Sequence, residues 1–123
     1  MRTIIAGSRS IEDYRDVVKA IEKAGFSISE IVSGTARGPD QLGERYARQH
    51  GIKVTRFPAD WNKYGRSAGY KRNETMAQYA KNGQLIAIWD GKSKGTVHMI
   101  NLAKQYGITV FVYVPKTKKE YRR

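Results

Sequence analysis

The chain has 123 residues, no cysteine, two histidines and a formal net charge of +12. That length bounds one domain with one real core. The missing cysteines exclude disulfides, thiolate catalysis and cysteine-ligated zinc, and His50 and His98 alone cannot build a tetrahedral zinc site.

Met1 to Gly7 is too short for a signal-peptide core and reads as a first strand, Thr3–Ala6. Ile11–Ala24 reads as a helix with Tyr14, Val17, Val18 and Ile21 on one face and Gly25 as its stop. Ile28–Ser33 is an apolar β-branched run and the second strand. Asp40–His50 reads as a helix with Leu42, Tyr46 and Ala47 inward, ending at Gly51. Lys53–Phe57 is the third strand. Pro58 to Ala68 follows as the one long irregular segment, and a loop of that length in a small domain points to function. Gly69–Lys81 reads as a helix carrying Met76, Ala77 and Ala80. Leu85–Trp89 is a strand, Thr96–Tyr106 a helix with Val97, Ile100, Leu102 and Ala103 inward, and Ile108–Val114 the last strand. The strands are short and mostly apolar on both faces, as buried parallel strands are.

Regular strand–helix alternation predicts an α/β, Rossmann-like three-layer sandwich: a five-stranded, mainly parallel sheet with helices on both faces. Residues 1–114 form the domain and 115–123 a basic tail. Apolar runs of about five or six residues fall far short of a membrane span, so no membrane partner is expected. The expected location is the cytoplasm.

Charge is uneven along the chain. Up to Asp60 there are 10 basic and 8 acidic residues, a net of +2; from Trp61 onward there are 13 and 3, a net of +10. Such asymmetry suits an anionic partner, and nucleic acid bound through the tail is one reading. The competing reading is that Lys116, Lys118, Lys119, Arg122 and Arg123 are simply solvated.

In an open parallel sheet the ligand crevice lies beyond the carboxyl ends of the strands. The loops expected there are Gly7-Ser8-Arg9-Ser10, Gly34 to Asp40, Pro58 to Gly69, and Asp90 to Thr96. Gly, Ser, Thr, Arg and Lys dominate all four. The second is the most telling: strand, small-residue turn and helix start make an anion site, and Arg37 adds a planar, forked donor suited to phosphate. Ser8, Arg9, Gly34, Thr35, Arg37 and Gly38 are therefore the candidates to hold phosphate, with Gly7 in the same turn. Lys92, Gly95 and Thr96 would close the opposite wall. Trp61 or Tyr64 would cover a base or sugar, although Trp61 could equally be a loop anchor. Arg72, placed unfavourably near a helix N-terminus, would either neutralise a bound anion or pair with Asp60, Glu74 or Asp90. Asp40 and Asp60 would orient arginines or hydroxyls and, with Arg72, are the candidates for any chemistry.

Gly7-Ser8-Arg9, Gly34-x-Ala36-Arg37-Gly38-x-Asp40, Pro58-Ala59-Asp60-Trp61, Tyr64-Gly65, Ala68-Gly69, Arg72-Asn73-Glu74-x-Met76 and Gly95-Thr96 together resemble the YspA-type branch of the SLOG superfamily. The resemblance runs from about residue 1 to 113. It implies a Rossmann-like sheet, a nucleotide or nucleotide-derived ligand, Asn73 beside Arg72 in the pocket, and a bacterial or phage source. For a phage protein, the location would be the host cytoplasm. The superfamily includes the LOG phosphoribohydrolases, which release a base from a nucleoside monophosphate, and the DNA-processing protein DprA. The LOG reaction uses an arginine, matched here by Arg72, and a glutamate after a Gly-Thr turn. The spacing from Gly95-Thr96 places Met99 at the glutamate position, and a thioether cannot do acid–base work.

The expectation is therefore a nucleotide binder rather than a LOG-type enzyme, with no required cofactor and no metal. The alternatives are a nucleoside 5′-monophosphate phosphoribohydrolase using relocated carboxylates and a DprA-like nucleic-acid binder. Two open sheet edges, with Tyr79 and Tyr106 near polar helix faces, suggest a homo-oligomer.

Overall fold

The structure, a computed structural model, describes residues 1–115; the basic tail from Lys116 lies outside them. Five strands form one sheet: β1 (Arg2–Gly7), β2 (Glu30–Ser33), β3 (Lys53–Arg56), β4 (Gln84–Ile88) and β5 (Thr109–Tyr113). Their order is β3-β2-β1-β4-β5 and every pairing is parallel. The chain therefore winds outward in one direction from β1 through β2 to β3. It then returns to the other side of β1 for β4 and β5. Adjacent β1 and β4 feed their following loops in opposite directions, which opens a crevice at their carboxyl ends.

Four helices of 11 or 12 residues cover the sheet: α1 (Tyr14–Ala24), α2 (Pro39–His50), α4 (Ala68–Tyr79) and α5 (Lys94–Gln105). Successive strand side chains point to opposite faces, so the core is two clusters. Ile5, Ile31, Ile86 and Ile88 pack with Val17, Ala20 and Ile21 of α1 and Ala47 of α2. Ile4, Val32, Leu85 and Ala87 pack with Met76 and Ala77 of α4 and Met99, Leu102 and Ala103 of α5. This is the expected three-layer sandwich.

Several boundaries differ from the sequence reading. The first helix begins at Tyr14, not Ile11, because the Asp13 side chain caps it by accepting from the Arg15 N–H at 2.9 Å. Ile11 is instead a buried loop residue. Pro58 to Ala68 is not irregular throughout. It holds a four-residue helix, α3 (Trp61–Tyr64), capped by Asp60, and a 3₁₀ turn, Gly65–Ser67. Neither buries any residue, so no apolar periodicity could announce them. Tyr79 and Tyr106 are half-buried. Tyr79 tilts against Phe57, lies under the Arg2 guanidinium and donates to Glu30, and the Tyr106 hydroxyl accepts from Gln78. Both are thus engaged within the chain.

Candidate functional site

A cavity of about 470 Å³ opens at the carboxyl ends of β1 and β4. Its first wall is the end of β1 and the turn after it, with Gly7, Arg9 and Ser10. Ser8 lies behind this wall, buried, where its hydroxyl accepts the Asp90 N–H at 3.0 Å and meets the Thr96 hydroxyl at 3.5 Å. It ties the two post-strand loops together rather than facing the ligand space.

The opposite wall is the turn from β4 into α5, with Asp90, Ser93, Gly95 and Thr96. The Asp90 carboxylate accepts the N–H groups of Lys92 and Ser93 at 2.8 and 2.9 Å and the Ser10 hydroxyl at 2.9 Å. The backbone bond from Lys92 leads in holding its pKa down, to about 2, with those from Ser93, Ser10 and Ser8 adding to it. Asp90 is thereby a fixed anion spent on shaping the turn. Ser93 caps α5 by accepting the Thr96 N–H, which leaves the start of a twelve-residue helix at the cavity wall.

The floor comes from α2, α4 and α5. Asp40, in the first turn of α2, is 4 % exposed. One of its oxygens accepts the Ala36 N–H at 3.2 Å. Arg72 and Asn73 project from α4, and Met99 from α5. The Arg72 guanidinium donates from Nη1 to the Gly34 carbonyl and from Nε to Asn73 Oδ1. It makes no ion pair within 4.0 Å among the described residues. Asp60, Glu74 and Asp90 are thus not its partners. Asn73 is held from the other side by His98, whose ring packs edge-on to Tyr70 at 4.5 Å. Burial pushes the His98 imidazole below its ordinary value.

Gly34 makes this floor possible. A Cβ there would lie 2.7 Å from both Arg72 Nη1 and Asp40 Oδ2, a clash with both groups. Next to it, Thr35 has φ of 65°, a left-handed conformation that is costly for a β-branched residue. Its N–H is held by Ser33 Oγ at 3.1 Å. Gly38, at φ 94°, turns the chain into α2.

Burial pushes the Asp40 pKa up to about 6, against the lowering pull of Arg72, Ala36 and Arg9, with Glu44 adding to the rise. Burial also pushes Arg72 down, and Asp40 counters it. Both groups are short of solvent and short of close counter-charge. The rim is aromatic and basic: Trp61 is 50 % exposed, Tyr70 47 %, and Arg66 lies between them in sequence.

Of the residues proposed from sequence, Gly7, Arg9, Asp40, Trp61, Arg72, Asn73, Gly95 and Thr96 converge on this cavity. Arg37 is exposed and does not line it. The amides of Thr35 and Ala36, in the same loop, are already donated inward. Gly34 and Gly38 shape the floor from behind, Asp60 accepts the Lys63 N–H at 3.1 Å as a helix cap, and Lys92 is exposed. Thr35 borders a second groove with Gln41, Arg48 and Arg56. Tyr64 stands outside the cavity with Lys63 and Lys71 about 5 Å from its ring centre. The sequence reading did not single out Ser10, Ala36, Arg66, Tyr70 or Ser93 as site residues. Their signal was position alone, within the post-strand loops or the helix turn beside them.

Among solved structures, the chain is similar to DNA processing protein A of Streptococcus pneumoniae, at 19 % identity and a TM-score of 0.70. The match covers 95 % of this chain and 50 % of that one. At that identity the likeness establishes the fold, and the chain spans about half the length of its structural relative. No curated protein matches the sequence. The model of the YspA, cpYpsA-related SLOG family matches residues 1–64, which carry β1, α1, β2, α2, β3 and α3 and with them Arg9, Asp40 and Trp61. The chain belongs to the YspA, cpYpsA-related SLOG family.

Proposed function

We propose that this protein binds a nucleotide or nucleotide-derived anion in the cavity beyond β1 and β4. Family membership and the DprA-like fold support a nucleotide- or nucleic-acid-related binding role in general. The observation that carries the narrower reading is the pairing of three arginines, Arg9, Arg66 and Arg72, with two half-exposed aromatics, Trp61 and Tyr70, around one concave space. Its volume lies in the range of small-ligand sites. Guanidinium groups and the start of α5 favour phosphate, and an exposed indole offers a stacking face for a base. The ligand is the partner, and no further cofactor is invoked. Native mass spectrometry of gently purified protein tests this directly. Calorimetry with 5′-mononucleotides then gives affinity, and failure of every nucleotide to bind at millimolar concentration would sink the proposal.

Asp40 favours a second reading, an N-glycosidase acting on a nucleoside 5′-monophosphate. A cavity carboxyl with a pKa near neutrality is suited to general acid–base work. In such hydrolysis water adds to C1′, the bond from C1′ to the base nitrogen breaks, and the departing base takes a proton. Met99, 1 % exposed at the floor, supplies no carboxylate. Chromatography of base released from AMP, GMP, CMP and UMP decides it. Multiple turnovers lost in Asp40→Asn would establish the enzyme, and none would leave the binder. Nucleic-acid binding through the basic tail rests on residues outside those described. It is tested by deleting residues 116–123 and following the salt dependence of DNA and RNA affinity.

A further inference from the structure

We infer that the cavity selects ribonucleotides over deoxyribonucleotides, with the Asp40 carboxylate accepting hydrogen bonds from the ribose 2′- and 3′-hydroxyls. This rests on the nucleotide reading above and concerns which sugar the same site takes.

Asp40 is 4 % exposed and lines the cavity. An ionised carboxylate is acceptor-only, with room for about four hydrogen bonds. Among the described residues the chain supplies one, the Ala36 N–H at 3.2 Å. Arg72 is the neighbouring cation, yet its Nη1 and Nε are committed to the Gly34 carbonyl and Asn73. No arginine stands within ion-pair distance of Asp40 among the described residues. Asp40 is therefore not simply the counter-ion of Arg72 or Arg9. A buried carboxylate facing a cavity with unused acceptor capacity calls for donors on the ligand.

A phosphate cannot supply them, because a second anion against Asp40 is repelled. The phosphate is better placed toward Arg66 and the start of α5. That leaves the sugar for Asp40. A ribose cis-diol presents two adjacent O–H donors, and a carboxylate reading ribose hydroxyls is an established solution at the same edge of other parallel sheets. A 2′-deoxyribose presents one donor fewer and leaves the carboxylate under-satisfied in a buried place.

The test is calorimetry of the full chain with the matched pairs AMP/dAMP, GMP/dGMP, CMP/dCMP and UMP/dUMP, with 3′-deoxyadenosine 5′-monophosphate beside them. The ribo form of the best-binding base should bind about tenfold or more tighter than its 2′-deoxy form, as expected for a lost hydrogen bond to a charged group. Asp40→Asn should reduce that ratio to within about threefold while the deoxy form still binds. Equal affinity of the two sugars in the wild type overturns this inference and leaves the nucleotide reading standing. A ratio unchanged by Asp40→Asn in a variant with a normal melting transition overturns the role of Asp40. Binding by no nucleotide overturns both readings. If Asp40→Asn fails to fold, the 2′-deoxy and 3′-deoxy ratios in the wild type carry the decision, and a ratio of one for both overturns the inference.

Discussion

Asp40 also makes the stability of the ligand-free protein depend on pH in an unusual direction. Its pKa stands near 6 in the folded chain against an ordinary value of 3.8. The unfolded chain therefore gives up this proton more readily. Below pH 3.8 the carboxyl is protonated in both states and its neutral form costs nothing extra. As pH rises through the window from about 4 to 6, the folded protein holds a proton that the unfolded chain has lost, and stability falls. Two units of difference at 1.36 kcal/mol each make about 3 kcal/mol by pH 7. The groups facing Asp40 are Arg72 and Arg9, which oppose the rise, and Glu44, which adds to it. Asp40→Asn removes the titration while keeping shape and one acceptor. The assay is urea unfolding of wild type and Asp40→Asn at pH 4 and pH 7.5, comparing the difference between the two proteins so that other titrating groups cancel. Asp40→Asn should gain about 2–3 kcal/mol on the wild type between those pH values. A constant difference, or a wild type that gains relative to the variant as pH rises, would refute the reasoning and show that Arg72 stabilises the carboxylate more than burial penalises it.

Arg72→Ala should weaken nucleotide binding by about 1.5–3 kcal/mol in calorimetry, the range for charged hydrogen bonds. Arg37→Ala, outside the cavity, should change it by less than about 0.5 kcal/mol. The reverse order would return the phosphate to the loop before α2. Thr35→Asn should raise stability in urea by about 0.5–1 kcal/mol, because asparagine tolerates the left-handed conformation that Thr35 is forced into; a loss would mean that the threonine side chain makes a contact that matters. Trp61 and Tyr70 of the rim and Tyr64 outside it are half-exposed, and we expect self-association through these aromatics. Light scattering at micromolar concentration should show a mass above 14.0 kDa, and a monomer with and without AMP would refute this.

Local sequence carried the architecture. Short β-branched runs separated by helix-length spacers already imply a parallel sheet, because burial on both faces makes the inner strands apolar, as at Ile4–Ile5, Ile31–Val32 and Leu85–Ile88, while the edge strand β3 starts and ends on exposed Lys53 and Arg56. Gly25 and Gly51 mark two helix ends because only a residue free at positive φ closes them cheaply. The post-strand loops named the edge of the sheet at which the cavity opens for the same reason: the direction of every strand follows from alternation.

Which loop residues meet was a different matter. Arg37 had the more suggestive neighbours, but its loop turns its amides inward to Ser33 and Asp40 and leaves its guanidinium in solvent. Arg72 had a poor local setting, and became the floor because Gly34, 38 positions earlier, accepts its Nη1 and has no Cβ to block it. The strand order placed the cavity at β1 and β4, the one neighbouring pair whose crossovers diverge. Burial then gave Asp40 its raised pKa, through a desolvation at the edge where Arg72 of α4 reaches the loop before α2, which leaves no mark in the residues around position 40. Periodicity and turn chemistry act over a few residues and are legible in order. Convergence, burial and charge coupling act between residues far apart in sequence, so only the folded chain sets them.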